Sequence, residues 1–211
     1  MIYSITIEFT SPLHIGSGMG MGKLIDLRIV RDSNNNIYLP GSTVKGVLRS
    51  ACNRIALENP AEFSSRPPCS GKDSEGICKE DPFCTICILF GTPFIEGKLR
   101  FFDLNFEAAD MLFHDILKLD PLKIYPAQIK TSTKLSRYFH TVSPKQLYSY
   151  EMTPRNVIFK GKLEARGSLS PQEENLLKYA SKYLSHIGGM KSRGLGRIKE
   201  FKIVKTEGYS Q

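Results

Sequence analysis

The chain has 211 residues, 41% of them hydrophobic, and 29 Lys+Arg against 21 Asp+Glu give it a net charge of +8. That length buries a full core in one sizeable domain without help from disulfides, and the charge points to an anionic partner. The charge excludes little by itself. No apolar run approaches the ~18 residues that span a bilayer, and the start lacks the charged and apolar blocks of a signal peptide, so a cytoplasmic location without a membrane partner is expected.

Residues 2–9 alternate, with Ile5, Ile7 and Phe9 on one face, as a half-buried strand does. A Gly/Met-rich loop (16–22) follows, then an extended segment from Leu24 to Val30. Asp32-Ser33-Asn34-Asn35-Asn36 reads as a turn, because Asn and Asp tolerate left-handed backbone and bond their own main chain. Beyond Leu39-Pro40-Gly41, Ser42 or Thr43 is placed to cap a helix carrying Val44, Val47, Leu48, Ala51 and Ile55, which ends before Pro60. Residues 60–87 show no period and read as an insertion. Lys98 to Phe106 alternates again, and Asp110 to Leu119 suits a short helix. Asn156 to Ala165 is a predicted strand, Glu173 to Ser185 an amphipathic helix, and Ile198 to Val204 a closing strand. Together these predict an α+β domain, an antiparallel sheet with helices on one face.

Between the last helix and strand, Gly188, Gly189, Gly194 and Gly196 are interleaved with Lys191, Arg193, Arg197 and Lys199 and no acid. Glycine admits positive φ and close approach to its N–H groups, which lend fixed dipoles, and the cations suit a phosphate chain. The alternative is a helix cap plus a tight turn. From Lys123 to Tyr150, cations that include Lys134 and Arg137 alternate with Tyr125, Tyr138, Phe139, Tyr148 and Tyr150, again without a carboxylate. Charge that tracks a backbone beside rings that stack on bases suits a single-stranded nucleic acid; the alternative is a solvated basic loop. Lys45 and Arg49 are four apart on one helix face, near a helix N-terminus that can itself bind an anion; simple surface solvation is the other reading.

Cys69, Cys78, Cys84 and Cys87 are spaced Cys-x8-Cys-x5-Cys-x2-Cys, and the last pair has the gap with which two thiolates grip one zinc. A structural Zn2+ site would order a segment poor in apolar residues. Scattered free thiols are the other possibility, and Cys52 belongs to the core face of its helix. Asp26, after the glycine-rich loop, is a candidate to hold Mg2+ or Mn2+ or to take a proton from a ribose 2′-hydroxyl; otherwise it ends a strand or pairs with a neighbour. His14, in Pro12-Leu13-His14-Ile15-Gly16, is a candidate base or phosphate contact, or a packed histidine beside a turn.

Ser11-Pro12-Leu13-His14-Ile15-Gly16-Ser17-Gly18, Ile25-Asp26-Leu27-Arg28-Ile29-Val30-Arg31-Asp32, Leu39-Pro40-Gly41-Ser42-Thr43-Val44-Lys45-Gly46-Val47-Leu48-Arg49, Cys84-Thr85-Ile86-Cys87-Ile88-Leu89-Phe90-Gly91 and Gly188-Gly189-Met190-Lys191-Ser192-Arg193-Gly194-Leu195-Gly196 follow one another in this order. In that order they resemble the RAMP superfamily, and most closely the repeated backbone subunit of type III CRISPR interference complexes of the Csm or Cmr type. The resemblance implies a modified ferredoxin-like (RRM-like) core in a single domain, with a Cys-rich insertion at about 60–95 and a basic lid or thumb at about 120–153. It implies copies of the chain stacked as a filament along a guide (CRISPR) RNA with other subunits of the complex, and a thumb that disturbs the duplex with target RNA. It implies, too, that Asp26, which matches the family's aspartate before the Pro-Gly-Ser motif, cleaves target RNA with a divalent metal. Leu27-Arg28 departs from the small or turn-forming pair expected after that aspartate. A non-catalytic scaffold, and a metal-independent guide-processing endoribonuclease using His14, are the alternatives.

Overall fold

The computed structural model describes residues 1–18, 25–63, 66–69, 76–79, 81–108, 127–135, 138 and 142–206. The helix expected at 110–119, part of the Gly/Met-rich loop, and Arg137 lie outside them.

Strand β1 (Ile2–Phe9) is an inner strand of the main sheet. Tyr3, Ile5, Ile7 and Phe9 are buried while the residues between them are not, which is the period of a sheet covered on one face. It pairs antiparallel with β7 (Val157–Ala165) on one side and β8 (Ile198–Thr206) on the other, Ile7 facing Phe159 and Phe201. Beyond β7 come two short strands, β3 (Leu99–Phe101) and β4 (Leu104–Ala108), both antiparallel to it, and the two-residue β2 (Tyr38–Leu39) on β4. The break between β3 and β4 lies against Gly161. A Cβ there would meet the Asp103 carbonyl at 2.9 Å and Leu104 Cγ at 2.8 Å, so only glycine lets the bent edge pass.

Helix α1 (Gly41–Glu58) buries Val44, Leu48, Ala51, Cys52 and Ile55, the predicted stripe and the expected core cysteine, with Val47 at its margin. Its N-terminus differs from the expectation. Pro40 is the cap residue, no side chain of its own caps it, and the Gly41 N–H donates to Asp103 Oδ1 at 2.8 Å. A carboxylate 62 residues away already answers the positive end of the helix. The one-turn α2 (Pro60–Phe63) follows. Helix α3 (Thr85–Phe90) sends Ile86, Cys87, Leu89 and Phe90 into the same core, so the Cys-rich segment is anchored in the domain rather than appended to it.

Helix α4 (Pro171–Tyr183) packs on α1. It starts two residues before the predicted helix because Ser170 and Glu173 form a reciprocal capping box with Pro171 at the first turn. Glu173 also accepts from Lys98 Nζ at 2.8 Å, tying the helix start to the chain before β3. The basic-aromatic stretch is a separate two-stranded antiparallel hairpin, β5 (Gln128–Leu135) and β6 (Val142–Met152), not a loop. The segment expected to be extended before Val30 forms only isolated bridges: residues 25–31 run beside β6 and the neighbouring loops without joining a sheet. The Asp32 turn is as read, its carboxylate accepting from the Asn34 and Asn36 N–H groups, with Asn35 at φ 65°.

Candidate nucleic-acid interface

The loop after β1 is held by the base of the hairpin. Leu13 and Thr153 exchange two hydrogen bonds of 2.9 Å, and His14 Nδ1 lies 2.6 Å from the Glu151 carbonyl oxygen. A carbonyl only accepts, so this network assigns the proton to Nδ1. The ring is 5% exposed and meets Tyr150 edge-on at 6.1 Å between centroids. His14 is thus a buried fastener between loop and hairpin, with its Nδ1 proton committed to the main chain.

Asp26 lies beside Ser149 of β6, at the surface. Its Oδ2 accepts from the Ser149 N–H at 2.7 Å, while the Asp26 and Leu27 N–H groups donate to the Ser149 carbonyl. The carboxylate is therefore exposed yet fixed in direction by backbone.

The glycine loop is stitched to the other side of the 10–16 loop. Gly189 N–H donates to the His14 carbonyl and Gly196 N–H to the Pro12 carbonyl, each at 2.8 Å, and Gly194 N–H closes a 3-10 turn (Lys191–Arg193) onto Lys191. Gly188 has φ 91°, and a Cβ on it would stand 2.6 Å from the His14 carbonyl; Gly196 has φ 72°, and a Cβ on it would collide with the Ile187 carbonyl. These glycines serve close backbone approach. The amides of Gly189, Gly194 and Gly196, read as dipoles for phosphate, are spent within the protein. Nor is Gly188 a helix cap, because α4 has already ended on Leu184. What the loop presents outward is its cations, Lys191, Arg193 and Arg197, all exposed. Arg193 Nη1 bonds the Tyr148 hydroxyl, its guanidinium lies 5.3 Å from that ring's centroid, and Tyr148 in turn stacks on Tyr150. Asp26, Tyr148 and Arg193 thus meet at adjacent residues of β6.

Lys45 and Arg49 line a pocket of about 310 Å³ with the loop from Gly91 to Gly97. Gly91 has φ 80°, and Gly97 backs onto its amide so closely that a Cβ would come within 2.5 Å. Lys134 is carried on β5, away from these loops in sequence, and Arg137 lies outside the described residues.

The four predicted cysteines converge. The Sγ atoms of Cys69, Cys78, Cys84 and Cys87 all lie within 4.8 Å of one another, Cys69 standing 3.3 Å from Cys87 and 3.7 Å from Cys84. Thiolates about 2.3 Å from a tetrahedral zinc stand ~3.8 Å apart, so the set fits such an ion. Burial pushes the Cys84 thiol up, but hydrogen bonds with the Cys69 and Cys87 backbone outweigh it and bring the group down to about 7. Burial and the neighbouring thiols raise Cys87.

A six-stranded antiparallel sheet packed with helices and bearing an outlying hairpin defines an α+β protein. Residues 6–199 match the sequence model of the RAMP superfamily, and the chain belongs to that family. Its fold is similar to a chain of the type III-B Cmr-beta complex bound to cognate target RNA: 14% identity, 96% of this chain and 97% of that chain covered, TM-score 0.64. It is similar also to a chain of the apo Cmr-beta complex, at 14% identity, 97% and 98% coverage, and TM-score 0.62. No curated protein is significantly similar in sequence. Among the described residues no helix is long and apolar enough to cross a membrane.

The contacts at Ser149, Tyr148 and Glu151 were not legible as site geometry, because each joins residues separated by scores of positions. Glu151 in particular carries no local signal.

Proposed function

We propose that the chain is a guide-RNA-binding backbone subunit of a type III CRISPR effector complex, and that it cleaves target RNA through Asp26. The observation that carries this reading is a convergence. The loop bearing Asp26, the hairpin base at Tyr148–Ser149 and the cation-bearing loop at Arg193 are joined by direct hydrogen bonds. An exposed carboxylate of fixed direction beside exposed cations is what a metal-assisted cut in an RNA backbone needs. Mg2+ or Mn2+ there would supply charge stabilisation at the scissile phosphate. Asp26 would hold the ion, and Lys191, Arg193 and Arg197 would hold the strand.

The order β1, α1, β3/β4, β7, α4, β8, with β1 between β7 and β8, supports a ferredoxin-like (RRM-like) core. On that core residues 60–95 form a Cys-rich insertion with structural zinc, and 120–153 a thumb. The likeness to Cmr-beta chains over nearly the full length supports partners of the same kind: guide RNA, target RNA, copies of this chain in a filament, and other type III subunits, in the cytoplasm. Lys45, Arg49 and Lys134 add phosphate contacts. Burial of His14 with its Nδ1 proton committed favours the Asp26 reading over a histidine-based, metal-free guide-processing enzyme.

The test is target cleavage by the assembled complex with its co-purified guide. Cutting that requires Mg2+ or Mn2+ and stops with chelator supports the proposal. Cutting that survives chelator overturns it, and a complex that holds RNA without cutting leaves a scaffold.

A further inference from the structure

Ser149, whose N–H fixes the Asp26 carboxylate, makes a second contact through its side chain. Its hydroxyl lies 3.2 Å from that of Thr131 on the neighbouring strand β5. The two residues are cross-strand partners in the hairpin, so their side chains share one face. Ile129 and Leu147, each two residues back along its own strand, stand on that face too and are 59% and 65% exposed. Tyr148 and Tyr150 take the opposite face, where they meet Arg193 and His14.

The outer face of the hairpin therefore presents two hydroxyls between two exposed aliphatic side chains, with no charge on any of the four residues. Exposed aliphatics grouped on one face, rather than scattered singly, mark a surface that meets another molecule. Within the hydroxyl pair one O–H is spent on the other oxygen, which leaves one O–H to donate and lone pairs to accept. The complement of such a pair is a group that both donates and accepts. A phosphate only accepts, and the cations that suit it lie across the hairpin at Arg193. A ribose offers a hydroxyl on an aliphatic ring, and that 2′-hydroxyl is what separates RNA from DNA.

We propose that the Thr131–Ser149 hydroxyl pair binds the ribose 2′-hydroxyl of the target nucleotide beside Asp26, with Ile129 and Leu147 packed on the sugar. The chain then selects RNA over DNA when the target binds, before any chemistry. This rests on the reading of Asp26 given above, which brings a target linkage to the edge of β6 at Ser149. The pair touches the sugar and takes no part in the metal step.

The experiment uses the assembled complex with its guide, and competes an all-ribose target against targets carrying a single 2′-deoxynucleotide stepped through the paired region. Binding is read in chelator, and again with Asp26→Asn, which keeps an acceptor for the Ser149 N–H. At one nucleotide per copy of the chain, wild type should prefer ribose about fivefold over the even background of neighbouring positions, the net worth of one hydrogen bond exchanged with water. Thr131→Val combined with Ser149→Ala keeps the backbone contact to Asp26 and should lose that preference while retaining guide and Tm. Thr131→Ser combined with Ser149→Thr restores both hydroxyls and should restore the preference. A scan with no position above background overturns the seat, as does a double variant that keeps the preference. So does a peak that follows a change of base, made with its matching guide change, rather than the change of sugar. The sugar scan reads binding alone, so cutting that survives chelator or Asp26→Asn defeats the Asp26 reading and is a separate result from a flat scan.

Discussion

Asp26 Oδ2 accepts a 2.7 Å hydrogen bond from the Ser149 N–H, a contact across 123 residues that fixes the candidate catalytic carboxylate to the base of the hairpin. That bond decides how the residue should be tested. Asp26→Asn keeps an oxygen for Ser149 and removes the charge, whereas Asp26→Ala also strands a backbone donor at about 1 kcal/mol. Asp26→Asn should lower target cleavage on the order of 10³-fold, equivalent to several kcal/mol of lost charge stabilisation. Guide and target affinity should stay within about twofold. Cleavage at the wild-type rate, measured in single turnover with Mg2+ or Mn2+, would remove Asp26 from the mechanism.

The fold was legible where its causes are local. The alternation of Tyr3, Ile5, Ile7 and Phe9 and the stripe from Val44 to Ile55 each state their period within one element, and both elements are present as read. The hairpin was not, because its strands carry runs such as Thr131-Ser132-Thr133 that are exposed or half-exposed throughout and leave no burial period to read. The α1 cap was missed for a different reason: Asp103 reaches it from another element, and no local pattern encodes that. At the site, spacing alone brought the four cysteines together, since Cys-x2-Cys places two thiols on one turn of α3. The glycine loop was read for its amides, but their partners, the Pro12 and His14 carbonyls, are visible only in three dimensions.

Metal analysis of the purified chain should find about one zinc, as four thiolates require. Cys84 and Cys87 are fully buried at the start of α3, whose Ile86, Leu89 and Phe90 are core, so replacing both by serine should reach beyond the insertion. The loss should be roughly 3 kcal/mol or more, lowering Tm by about 10 °C, with metal absent from the variant. Zinc-free wild-type protein with four titratable thiols, or a variant with unchanged Tm, would rule the site out.

Tyr3 gives a stability test away from the proposed RNA surface. Burial first, and then the 2.7 Å hydrogen bond it donates to Glu174, raise its phenol from 10.0 to about 12. The folded state thus holds this proton more tightly than the unfolded chain. The contribution is complete below pH 10 and is lost as pH rises toward 12. Other groups titrate in that range, so the quantity to follow is the difference between wild type and Tyr3→Phe in denaturant unfolding. That difference should shrink toward the alkaline end; a flat difference would mean the phenol titrates normally.

Arg193 carries the last prediction. It is exposed, but it is already placed by the Tyr148 hydroxyl and ring, so on the proposed function an RNA phosphate would meet a guanidinium whose direction is set beforehand. A phosphate contact contributes about 0.7 to the slope of log affinity against log salt on a single strand. Arg193→Ala should flatten the slope by about that amount and weaken binding by a similar factor for unrelated guide sequences, because phosphate contacts carry no sequence information. Tyr148→Phe keeps the ring and removes the hydroxyl. It should leave the slope unchanged and weaken binding less, since the charge remains while its placement loosens. An unchanged slope in Arg193→Ala would reduce the arginine to a latch on the hairpin base, and a loss confined to one guide would make it a reader of bases.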